Sequence, residues 1–214
     1  SASVSIGISS IISNIISDNG GTGIQILTQQ GTTGIISDVN FTSNIIRDNY
    51  ENGIQLGTAS TNDNSVNYLY NVTFASNVIS GNGKVAVYLN AAKHQETSTY
   101  DALITNNTFF NNGQEAILIQ GALTSNIMYN TIQQNSCGIF FNGTKNCISE
   151  FNIISNNVIG MFVFNEATVQ AKNNYWGDLT GPYHLSLNPQ GKGNAVNGDG
   201  NDLKFIPFLT SPIS

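Results

Sequence analysis

Charge is what this chain has least of. Only 20 of its 214 residues are Asp, Glu, Lys or Arg, a fraction of 9% where about 25% is usual for a soluble domain. A single arginine, Arg47, and a net charge of −6 exclude the basic footprint that nucleic-acid binding requires. So few charges also leave too few i,i+4 ion pairs for a protein of surface helices. No stretch approaches the ~18 consecutive apolar residues of a membrane-spanning helix, so no membrane span is expected. Cysteine occurs twice, as Cys137 and Cys147, and the only histidines, His94 and His184, lie far from both in sequence, which removes zinc-ligand spacing. The two cysteines, ten residues apart, either bridge across a turn as one disulfide or stay as two buried thiols.

Asparagine and isoleucine fill the space that charge leaves. The chain holds 32 Asn and 26 Ile, with 21 Gly and 4 Pro. Low net charge and many β-branched residues argue for a folded, β-rich chain whose surface polarity comes from amides and hydroxyls. One phrase repeats: Asn, two apolar-leaning residues, two variable residues, Asn. Its first asparagines are Asn14, Asn44, Asn77, Asn107, Asn130 and Asn152, and its second are Asn19, Asn49, Asn82, Asn112, Asn135 and Asn157. A degenerate seventh copy opens at Asn174. Five residues after each second Asn stands an apolar residue: Ile24, Ile54, Val87, Ile117, Phe140 and Phe162. The first asparagines are spaced by 30, 33, 30, 23, 22 and 22 residues. A minimum period of 22, made of short β-branched runs punctuated by Asn and Gly, predicts the coil of a parallel β-helix, an all-β solenoid of about seven coils.

Stacking explains the amides. Neighbouring coils lie ~4.8 Å apart, so a turn residue sits over its counterpart one coil away. An Asn side chain donates and accepts, so two ladders are expected, one through Asn14 to Asn174 and one through Asn19 to Asn157. Asn also tolerates the left-handed backbone of a sharp turn, which assigns the bends to these asparagines themselves. Relative to 22 residues, the first three coils carry about 8, 11 and 8 extra residues, near 28–34, 57–67 and 90–100. Insertions at one point of a repeat project from one edge of the column.

The residues offer little chemistry. Asp18 and Asp48 occupy equivalent places in adjacent coils, within reach of the 5–10 Å that a glycosidase pair spans. The column then drifts through Gly81, Asn111, Gln134 and Asn156, which reads as a surface ladder and not a dyad. Arg47 has no acidic cluster beyond Asp48, and His94 sits in the third insertion beside Lys93 and Glu96 as a solvated loop residue. Asp199, Asn201 and Asp202 offer oxygen ligands to a calcium ion without the full spacing of a calcium loop. Neither a cofactor nor a catalytic constellation is expected. Glycosylation sequons stand at Asn40, Asn71, Asn106 and Asn142, no more than composition predicts.

From residue 173 the texture changes. The chain reads Asn173-Asn174-Tyr175-Trp176-Gly177-Asp178, then Gly181-Pro182-Tyr183-His184, then Asn188-Pro189-Gln-Gly191-Lys-Gly193-Asn194, and ends through Phe205-Ile-Pro207-Phe208. This segment resembles the closing segment of right-handed parallel β-helix repeat proteins of prokaryotic cell surfaces. Tyr175 stands where that family has Trp, Asn194 where it has Asp, and Phe208 at the final aromatic. The resemblance covers 173–209 specifically and the repeats of about 12–172 loosely. It implies a single right-handed column, with coils over 1–172 and a closing coil and cap over 173–214 of the same domain. In that cap Trp176, Pro182, Tyr183, His184, Phe205 and Phe208 would cover the core end, and prolines would stop further pairing. It implies an extracellular or cell-surface setting and no particular reaction.

Ser1 to Ser13 alternates Ser with apolar residues and shows no comparable cap. An open end of this kind invites pairing, so self-association or docking on a neighbouring domain is expected there. The functional expectation is therefore a structural β-helix, a subunit of a surface layer, filament or adhesive appendage. The alternative is a carbohydrate-binding or polysaccharide-processing domain working at the insertion edge on surface glycans.

Overall fold

A computed structural model describes residues 3–7, 9–28, 33–58, 67–91, 100–198 and 202–213, with side chains for all of these except 3–6 and 58. Among them there is no helix, and every pairing between strands is parallel. Runs of two to seven residues, rich in β-branched and aromatic side chains and many of them stopped by a residue of positive φ, form short strands that stack coil on coil.

Three long faces result. The first holds eight strands from Ser9–Ile12 through Val39–Thr42 and Ala102–Thr105 to Leu203–Lys204. The second holds six, from Ile15–Ser17 to Ile153–Ser155, and the third seven, from Ile24–Thr28 to Val196–Asn197. The first and third faces continue through the closing segment, and Leu203–Lys204 with the bridge from Tyr175 to Leu209 adds part of an eighth coil. The fold is a right-handed parallel β-helix.

The core is the set of inward columns. Phe41 lies on Phe74 with ring centroids 4.8 Å apart and planes within 4°. Ile46, Ile79, Phe109, Ile132 and Ile154 line the second face, and Leu56, Leu89, Ile119 and Phe141 the third, all fully buried. Each such side chain contributes about 1.5–3 kcal/mol through burial.

The extra length of the early coils is partly regular. Ser3–Ile6, Thr33–Ser37 and Asn67–Tyr70 pair as a short fourth sheet between the third and first faces. The expected insertions therefore give up their trailing residues to strand pairing in two coils. Their middles, at 29–32, 59–66 and 92–99, lie outside the described residues, and His94 with them.

Candidate functional surfaces

The repeated asparagines form two continuous lines of hydrogen bonds. Asn44 Oδ1 accepts both the backbone N–H and the Nδ2 of Asn14, at 3.0 and 3.1 Å. The same Nδ2 to Oδ1 bond recurs from Asn44 to Asn77, Asn107, Asn130, Asn152 and Asn174, at 2.9–3.0 Å. The second line runs from Asn19 through Asn49, Asn82, Asn112 and Asn135 to Asn157. It continues to Asn194 in the closing segment at 3.0 Å, a member that the repeat phrase alone does not reveal because 37 residues separate it from Asn157. Beyond the first coil both lines are buried, as far as Asn174 and Asn157, and Asn194 at the end of the second is partly buried. The amides also hold the strands they leave, as when Asn77 Nδ2 donates to Phe41 O at 2.8 Å.

The bends are not made by the ladder asparagines. Positive φ falls on the residue before each one: Ser13, Ser43, Ser76, Asn106, Tyr129, Phe151 and Asn173 at the first corner. At the second corner it falls on Asp18, Asp48, Gly81, Asn111, Gln134 and Asn156. The turn thus points one residue outward and the next asparagine inward, where backbone groups left over by the bend need a partner. Tyr129 and Phe151 stack at 5.5 Å within 10°, on a corner where the other members are Ser or Asn.

This places Asp18 and Asp48 on an exposed corner. Asp48 is bound by Arg47 Nη1 at 2.7 Å, both side chains being about half exposed. Lys84 reaches Glu51 at 2.7 Å one turn further, and this contact with the ammonium holds the Glu51 carboxyl below its usual range.

The closing segment is a hydrogen-bonded plug. Trp176 and Phe205 are buried, Pro182 is buried, and the ring of Phe208 lies on Gly181, where any side chain would collide with it. Asp178 accepts the Thr180 hydroxyl at 2.7 Å and its N–H at 2.9 Å, which keeps its carboxyl below the usual range. His184 is 8% exposed, its Nδ1 accepts the Leu187 N–H at 3.0 Å, and its Nε2–H donates to Gly198 O at 2.7 Å. Tyr183 departs from expectation, since its ring is 41% exposed and does not cover the core. Alternation turns it outward between buried Pro182 and His184, while its backbone is paired, the N–H donating to Gly193 O at 3.4 Å and the carbonyl accepting the Val196 N–H at 2.9 Å.

Of the calcium candidates, Asp199 and Asn201 lie outside the described residues, while Asp202 receives the Val169 N–H on its carbonyl. Among the described residues no three His, Cys, Asp or Glu side chains converge as metal ligands. Asn40, Asn71 and Asn106 are exposed, and Asn142 is partly exposed and bound by Asn165 at 2.7 Å.

The cysteines do not bridge. Both are free and buried. Cys137 opens the strand Cys137–Asn142 of the third face and Cys147 opens Cys147–Glu150 of the first, and that intervening strand carries the chain roughly 16 Å before it turns. Burial pushes the Cys137 thiol up to about 12 and raises Cys147 as well. Since the thiolate is the nucleophile, native protein at pH 8 should react with a thiol reagent far more slowly than free cysteine, and denatured protein should yield two equivalents without reduction. Fast native labelling of either residue would contradict this placement.

The third face corrects the register. Ile24, Ile54, Val87 and Ile117 align with Ile139 and Met161, and not with Phe140 and Phe162. The turns after Asn135 and Asn157 are one residue shorter than those before, so the constant five-residue offset fails there. A one-residue slip moves a side chain to the other side of the sheet. Phe140 and Phe162 therefore point outward, in a column with Gln25, Gln55, Tyr88, Leu118 and Asn197.

A family model for the right-handed beta helix region matches residues 66–177, just over half of the chain. The chain belongs to the right-handed β-helix family. Among solved structures it is similar to a trypsin-treated form of QnrB1, a plasmid-mediated fluoroquinolone resistance protein, at 15% identity over 92% of this chain and 91% of that one. The TM-score is 0.32, too low to carry an argument. No curated protein sequence is significantly similar.

Proposed function

We propose that this β-helix is a non-enzymatic structural subunit of an extracellular or cell-surface layer, filament or adhesive appendage, joined through its first-coil end. The observation that carries this reading is the contrast between the first coil and the second. Ile11, Ile16, Ile24 and Ile26 are only partly buried, while Phe41, Ile46, Ile54 and Leu56 beside them are fully buried. Ile12 and Ile15 are 55% and 68% exposed. The ladders run one way, so Asn14 and Asn19 keep side-chain oxygens that receive no donor among the described residues. Apolar surface next to unused acceptors and strand edges suits a further coil, contributed by a neighbouring domain or subunit. The exposed sequons Asn40, Asn71 and Asn106 suit an exported protein that is glycosylated.

Light scattering over a concentration series tests this. Mass above the monomer value is expected to appear as concentration rises, and Ile15→Lys, on an already exposed side chain, is expected to return the protein to monomer. A wild-type protein that stays monomeric at every concentration removes the reading.

A further inference from the structure

The outward side of the third face carries a feature with no structural need. Four consecutive coils place Tyr88, Leu118, Phe140 and Phe162 in one partly exposed column, and Phe164 beside Phe162 is 51% exposed. At ~4.8 Å per coil the column is about 14 Å long and one side chain wide. Phe140 and Phe162 meet edge to face at 5.0 Å, and Phe162 and Phe164 lie nearly parallel at 6.1 Å.

The lane is bordered by amides. Tyr88 donates its hydroxyl to Gln120 Oε1 at 3.1 Å, which leaves the Gln120 Nε2 without an acceptor among the described residues. Gln55 accepts from Gln25 and Asn52 at 3.1 and 3.2 Å, and Asn142 accepts from Asn165 at 2.7 Å. Their own amide nitrogens are likewise unused among the described residues. The column and the parallel row of Asn90, Gln120, Asn142 and Phe164 contain no charged side chain.

We propose that this lane binds a linear, neutral polysaccharide lying along the helix axis. Aromatic rings pack on the C–H faces of sugar rings, and unused amide N–H groups pair with hydroxyl oxygens. Among the described residues the lane has no cation to hold the carboxylates of an acidic polysaccharide, and the chain's net charge of −6 repels one. Its narrowness favours a linear chain over a protein, because a stable protein interface needs about 800 Å² per partner. No reaction is part of the proposal.

Affinity gel electrophoresis and calorimetry test it, with cellohexaose, laminarihexaose and mannohexaose as neutral probes and polygalacturonate as the acidic one. Binding of at least one neutral probe and none of polygalacturonate is expected. Phe140→Ala and Phe162→Ala should each weaken that binding about tenfold, with circular dichroism melting showing that the fold is kept. Tyr129→Ala removes an exposed aromatic ring off the lane and should leave binding unchanged. No binding of any neutral probe overturns the proposal, as does equal loss in the Tyr129 variant. Lane variants that alter oligomeric state and not glycan binding overturn it in favour of a protein interface. Self-association through the first coil is read separately by light scattering, so either idea can fail alone.

Discussion

Asn107→Ala should lower the unfolding free energy by about 3–5 kcal/mol, while Asn14→Ala in the same ladder should cost less than about 1 kcal/mol. Asn107 is 1% exposed and uses its whole amide. Its Oδ1 accepts the N–H and the Nδ2 of Asn77 at 2.8 and 2.9 Å, and its Nδ2 donates to Phe74 O, Thr105 O and Asn130 Oδ1 at 2.9–3.0 Å. Truncation strands groups of the preceding coil and strand in a place that bulk water does not reach, and each buried unsatisfied group costs about 1–3 kcal/mol. Asn14 is exposed, so water replaces what its removal breaks. Urea denaturation of the two variants, compared at equal m-value, measures the difference. Similar costs for both would refute the claim that burial gives the ladder its strength.

Trp176→Ala is expected to cost about 3–5 kcal/mol, the usual range for removing a large buried aromatic side chain. The indole is fully buried, and the closing loop is tied to the Trp176 carbonyl by the Asn194 N–H at 2.7 Å. Trp176→Phe should be clearly milder, because the indole N–H has no partner among the described residues and only volume is lost. Denaturant unfolding followed by circular dichroism gives the costs. Hydrogen exchange should show the loss of protection concentrated in 173–209 and the last coils. A cost below about 1 kcal/mol for Trp176→Ala would mean that the plug does not depend on its central ring.

Much of this fold was legible because stacking leaves a mark on composition. Like residues in register would place like charges ~4.8 Å apart, so a column selects neutral amides and β-branched carbons. That is why the 9% charged fraction, the Asn excess and the 22-residue period all point to a parallel β-helix. The positions of both ladders were legible too, since a constant spacing in sequence becomes a vertical line in space.

The mistakes share one origin, which is that sequence spacing does not report direction. An asparagine next to a bend was assigned the bend, yet the preceding residue takes the left-handed conformation and the asparagine points in. Phe140 and Phe162 keep the five-residue offset of Ile24 and Ile54 in sequence, yet a turn one residue shorter points both outward. Of the two readings left open for Cys137 and Cys147, a bridge or two buried thiols, the spacing of ten residues could not choose, and the strand between them decides for the thiols. Asn194 joined a ladder from across a loop that no period describes.

The sequence by itself thus determined the solenoid, its period and its two amide lines, because these are repeats and a repeat is a local property. Only the tertiary structure decided which way each side chain faces, how the closing segment ties into the second ladder and where a neutral aromatic lane lies. Those outcomes depend on turn length and on contacts between coils, where one residue more or less reverses inside and outside.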